Sequence, residues 1–119
     1  MLFKPRHIEQ IRTGEKTVTR REWKEDYSGP NVGTVVAAKT ELFKPDDECD
    51  CYIRITGKRT EALGDISEES ARSEGEYDGV EDFRSGYERV YGEGAWDPKK
   101  IVTVVEFEYV GESRPGVDG

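Results

Sequence analysis

The stretch from Ile101 to Val110 leaves fewer alternatives than any other in this chain. Nearly every position is β-branched, apolar or aromatic, so it reads as a strand, the strongest in the sequence. A two-residue period places Ile101, Thr103, Val105, Phe107 and Tyr109 on one face. Three other segments read as strands. Thr17–Thr19 is β-branched throughout, Thr34–Thr40 carries four apolar residues in succession, and Cys51–Thr56 alternates apolar with polar. Glu22–Val32 reads as a loop by composition and Pro45–Asp50 as an acidic turn.

The helical signals are of a different kind. Pro5 suits the first turn of a helix, Ile8 and Ile11 fall three apart, and Gly14 follows as a stop. Ser67 can cap a short second helix, with Ile66 and Ala71 at the positions of a hydrophobic staple. A longer helix is predicted from Val80 to Tyr91, where Val80, Phe83, Tyr87, Val90 and Tyr91 form an amphipathic stripe. Strands and short helices in this order suit an α+β fold, a small β-barrel flanked by helices.

Length and composition set the outer bounds. The 119 residues fit one domain, expected at 1–110, with a polar, aperiodic and disordered tail at 111–119. Only 34% of the residues are hydrophobic, which predicts a thin core, while 10% aromatic content argues against disorder throughout. No apolar run approaches the roughly 20 residues of a membrane span. The opening Met1–Arg6 mixes Lys4, Pro5 and Arg6 with one apolar pair and does not read as a signal peptide. Cys49 and Cys51 are too close for an unstrained disulfide and read as reduced thiols of a cytoplasmic protein. His7 is the only histidine, so neither a metal site nor a histidine-based triad is expected, and no cofactor is implied.

Charge is unevenly placed. The chain carries −8 in total, yet Met1–Lys24 holds seven basic residues against three acidic ones, a local +4. The acidic remainder is also what a chain from a halophilic archaeon would carry. Within the basic part, Gly14-Glu15-Lys16-Thr17-Val18-Thr19-Arg20-Arg21 is the most informative segment. A glycine turn delivers Lys16 to the mouth of a strand, and Thr17, Thr19 and Arg21 share one face by the two-residue period. Hydroxyl, guanidinium and ammonium together make a polar pocket; the competing reading is an edge strand whose cations block aggregation. Glu74 follows Ala71 by three on the inward stripe of the second helix, while Glu68, Glu69 and Glu76 point to solvent. An inward carboxylate needs a partner, which is either a structural ion pair with Lys16, Arg20 or Arg21, or an acid/base role.

The spacing Ile-x-x-Ile-x-x-Gly-x-Lys-Thr-x-Thr-x-Arg from Ile8 to Arg21 resembles the opening motif of the ASCH domain, a PUA-like β-barrel. Trp96-Asp-Pro, followed by the strand from Val102, resembles that family's closing segment, so the resemblance runs from Leu2 to Val110. It implies a barrel with a cleft associated with RNA or modified nucleosides. Some small members resembling this chain are amidohydrolases that deacetylate N4-acetylcytidine. By that resemblance Thr19 is the nucleophile, Lys16 its activator and Glu74 a positioning or proton-relaying group. A second reading is a non-catalytic RNA-binding or regulatory module, in which Lys16, Thr17, Arg21 and Trp96 hold a phosphate and stack a base. Trp96 has a plainer reading too, closure of the core. RNA or a modified nucleoside is the expected partner, with no membrane and no identifiable protein partner. The net acidity weakens long-range attraction to phosphates, so recognition is expected to rest on stacking and hydrogen bonds within the cleft.

Overall fold

The computed structural model describes residues 1–22, 29–41 and 50–112. Its first helix, α1 (Pro5–Thr13), starts on the proline and buries Ile8 and Ile11. It ends at Gly14, whose φ of 83° is left-handed backbone that suits a residue without a Cβ. Strands β1 (Val18–Arg21), β2 (Val35–Ala38) and β3 (Cys51–Ala62) follow. A single 3₁₀ turn at Leu63–Asp65 leads to α2 (Glu68–Arg72), α3 (Val80–Tyr91) and β4 (Ile101–Gly111). The Ser67 hydroxyl accepts the Ser70 amide at 3.1 Å, which is the predicted cap of α2. Cys49, most of the acidic turn at 45–50 and the tail from residue 113 lie outside the described residues.

The four strands form one curled, half-barrel sheet in the order β1-β4-β3-β2, antiparallel throughout, with helices around it. This is the expected α+β class. The N-terminal residues run beside β2, where Phe3 donates to the Lys39 carbonyl at 2.8 Å and Lys39 to that of Met1 at 2.9 Å. From the opposite edge strand, Arg21 Nη2 reaches the Leu2 carbonyl at 2.7 Å, so both sheet edges meet the same N-terminal segment.

Two apolar clusters fill the interior. One sits inside the curl and joins Phe3, Ile8 and Ile11 to Ile53, Ile55, Val105 and Phe107. The other lies under α2 and α3 and joins Leu63, Ile66, Ala71 and Phe83 to Val102. β4 therefore departs from the single apolar face read from its sequence. Val102, Val104, Val105 and Phe107 are buried, whereas Ile101 is 62% and Tyr109 38% exposed. The reason is that β4 is central and covered on both faces, so alternation does not separate inside from outside. β3 runs six residues past the expected Thr56. Its extension pairs Gly57–Ala62 with Ile101–Glu106 after an irregularity between Ile55 and Gly57.

Candidate functional site

Gly14 turns the chain out of α1, and Lys16 is then fixed by its own amide, which donates to the Gln10 carbonyl at 3.0 Å. The Ser73 carbonyl, just past α2, accepts the amides of Thr17 and Val18 at 2.9 and 3.3 Å. That stitch brings Glu74 against Lys16 across 58 residues of sequence. Gly75 permits the approach. Its φ is 107°, and a Cβ there would stand 2.8 Å from both Lys16 Cβ and Gln10 Oε1.

Lys16, Thr19 and Glu74 are the buried polar residues of the chain's described part, at 3%, 6% and 5% exposure. Lys16 Nζ donates to Glu74 Oε2 at 3.1 Å, to the Glu74 carbonyl at 2.9 Å and to the Val18 carbonyl at 2.9 Å. All three ammonium protons are thus engaged. Burial pushes the Lys16 amine below its ordinary range, and the Glu74 charge opposes that shift without cancelling it. The second Glu74 oxygen accepts Arg20 Nη1 at 2.9 Å. Arg20 Nη2 continues to Glu61 Oε1 at 3.0 Å and Ser70 Oγ at 2.7 Å, and its guanidinium lies 5.7 Å over the Phe83 ring. Two cations and two carboxylates therefore form one nearly dry network.

Lys16, Arg20 and Glu74 line a cleft of about 660 Å³, together with aromatic side chains that include Tyr77, Phe83, Tyr87 and Tyr91. Thr19 and Arg21 line it as well. The Thr19 hydroxyl makes no hydrogen bond to Lys16 or Glu74. Thr17 does not share this wall. It precedes β1, so the two-residue period does not carry it to the face of Thr19, and it lines a separate polar groove of about 300 Å³. Trp96 is absent from the cleft lining. It packs edge-on against Phe83 and Tyr87, with ring centroids 6.0 and 5.5 Å apart, and closes the cluster under α3.

Sequence reasoning missed a second polar group beside the first. Glu76, read as solvated, accepts Arg6 Nε at 2.5 Å and bonds His7 Nε2 at 3.0 Å. Burial alone would raise the Glu76 carboxyl, but its hydrogen bonds to Arg6 and His7 outweigh burial and hold it down at about 2. Burial lowers the His7 imidazole despite that same hydrogen bond, and it raises the Tyr77 phenol, with help from Glu76, to about 12. Glu76 and its partners lie about 70 positions apart in sequence, and no local pattern marks that contact. Among the described residues no cluster of three or more His, Cys, Asp or Glu could hold a metal ion, and no helix is long and apolar enough to cross a membrane.

No family model and no curated protein matches the sequence. Comparison of structures does find likenesses. The crystal structure of an ASCH domain from Lactobacillus crispatus matches with a TM-score of 0.69 and 19% identity, over 88% of this chain and 70% of that one. Protein EF3133 from Enterococcus faecalis, assigned to the DUF984 family, matches with a TM-score of 0.69 and 19% identity, over 89% of this chain and 68% of that one. The curled sheet, its order of elements and these two likenesses agree: the chain is a small domain of ASCH-like fold.

Proposed function

We propose that this protein binds a modified pyrimidine nucleoside, alone or within a short single-stranded RNA, in the cleft beside Lys16, and hydrolyses an N4-acetylcytidine-type amide there. The observation that carries this reading is the convergence of Lys16, Thr19 and Glu74 on one aromatic-walled cleft. Its volume falls in the range of sites for small ligands, and tyrosine rings offer faces on which a base stacks. In the reaction Thr19 Oγ1 attacks the amide carbonyl carbon and its proton passes to Lys16. The carbonyl–nitrogen bond then breaks, Lys16 returns the proton to the departing exocyclic nitrogen, and water hydrolyses the threonine ester to free acid. Lys16 has to be neutral to accept that proton, and burial moves its amine in that direction. Glu74 holds the lysine in place, with Arg20 fixing the carboxylate from the other side.

One observation favours binding without catalysis. Every Lys16 proton is engaged and Thr19 is not bonded to it, so the pair has to rearrange before chemistry begins. Incubation with N4-acetylcytidine separates the two readings. Release of acetate and cytidine by the wild type, lost in Thr19→Ala, supports the hydrolase. Saturable binding without turnover supports the binding module, and neither binding nor turnover sinks both.

A further inference from the structure

The charges around the cleft pair off, with two exceptions. Lys16 and Arg20 meet Glu74 and Glu61. Glu22 accepts Lys100 Nζ at 2.9 Å and the Tyr87 hydroxyl at 2.9 Å. Glu76 takes Arg6 and His7. Lys4 and Arg21 remain: both line the cleft, and among the described residues neither makes a direct ion pair with a carboxylate, although the Glu74 charge acts on Arg21 from a distance. Both belong to Met1–Lys24, the segment that carries a local +4 in a chain of net charge −8.

Arg21 is also held in position. Its Nη2 donates to the Leu2 carbonyl at 2.7 Å and its guanidinium stacks 5.1 Å over the Phe3 ring. Only part of the fork is engaged by that carbonyl, and the rest of the group keeps its charge facing a concave wall. A positioned guanidinium and an exposed ammonium lining the same cleft suit a phosphate, which accepts forked donation and carries more than one charge. Stacking and ion pairing then have different homes in the cleft. The tyrosines of α3 suit a base, and the N-terminal wall suits an anion attached to it.

We propose that Arg21 and Lys4 form an anion subsite that takes a phosphate attached to the nucleoside, so that the cleft prefers a nucleotide to the bare nucleoside. This rests on the nucleoside reading above and adds to it the phosphate-bearing class of ligand. The phosphate is either the terminal group of a mononucleotide or the internal link of a short strand, since both present the same oxygens.

Isothermal titration tests this with four probes: N4-acetylcytidine, its 5′-monophosphate, its 3′-monophosphate, and a dinucleotide of N4-acetylcytidine whose only phosphate is the internal link. In the wild type a phosphorylated probe is expected to bind about tenfold more tightly than the nucleoside, the scale of one charge-assisted contact. Preference for a monophosphate assigns the terminal group, and equal preference for the dinucleotide assigns the internal link. Arg21→Gln is expected to erase the advantage of phosphate and Lys4→Gln to reduce it several-fold. Should Arg21→Gln lose its fold by circular dichroism, the exposed Lys4→Gln decides. Equal affinity of all four probes in the wild type, or an advantage that survives both substitutions, overturns the subsite while leaving the nucleoside reading intact. If none of the four binds, the nucleoside reading fails and the subsite fails with it.

Discussion

Lys16 Nζ stands 3.1 Å from Glu74 Oε2, with only 3% of the lysine and 6% of the glutamate side chain open to solvent. Charges this dry need each other, because desolvation of either one alone exceeds what its other hydrogen bonds return.

Lys16→Met is therefore expected to destabilise the fold by about 3 kcal/mol, and Glu74→Gln by a similar amount. In urea unfolding the double variant is expected to lose less than the two single losses together, by about 1 kcal/mol or more. Strict additivity would show that the two side chains do not depend on one another.

Arg20 spans Glu74, Glu61 and Ser70 with one planar group. An ammonium is a point charge and does not reproduce that span. Arg20→Lys is expected to cost about 1–2 kcal/mol, and Arg20→Leu about 3 kcal/mol because two carboxylates lose their partner. Thermal melts that rank the two variants in the opposite order would remove Arg20 from its bridging role.

Gly75→Ala is expected to cost about 2 kcal/mol or more. The new methyl group meets Lys16 Cβ and Gln10 Oε1, and the backbone at φ 107° is strained for alanine. Because the displaced neighbour is Lys16, ligand affinity should fall along with stability. Calorimetry on the variant checks both quantities, and a neutral result would mean that this loop yields easily.

Acid should weaken the fold in two stages. His7 has a native pKa below its ordinary 6.5, so the unfolded chain takes up a proton first and stability declines as pH drops below 6.5. Glu76 is held at about 2 against an ordinary 4.5, so its contribution is complete above 4.5 and is lost as pH falls towards 2. Urea midpoints measured from pH 8 to pH 2 are expected to trace both declines, and Glu76→Gln is expected to flatten the lower one. A midpoint that stays level from 4.5 to 2 in the wild type would contradict the Arg6–Glu76–His7 arrangement.

What the sequence made legible was local. Pro5, Gly14 and Ser67 mark helix ends by their own backbone chemistry, and each stands at or beside such an end. The stripe from Val80 to Tyr91 matches α3 at both limits, although Val90 and Tyr91 are each 60% exposed beside the cleft. Pairing between distant segments was harder to see. The second half of β3 reads Gly-Lys-Arg-Thr-Glu-Ala, where no apolar alternation announces a strand, because pairing with β4 determines it. Arg20 lies one position from Thr19, so the two-residue period assigns them opposite faces, yet both line the cleft. Its burial comes from α2 and α3 covering that side of a short, curled strand, which no count of residues reveals. The approach of Glu74 to Lys16 was legible as one of several pairings; the closing of its other oxygen by Arg20 was another, and the structure contains both.

β4, which pairs with both β1 and β3 inside the sheet, is also the last of the four described strands in chain order. Val18 pairs with Glu106 and Arg21 with Thr103, and most of β3 finds its partner in β4 too. Until the ribosome has delivered Ile101–Gly111, β1 has no neighbour in the sheet and the apolar residues of α1 have no Val105 or Phe107 to meet. Closing contacts of such long sequence separation is slow, and the waiting segments expose what the finished domain hides. β1 and α1, the first elements in chain order, therefore wait on a strand about 80 residues further along for the neighbours that cover them.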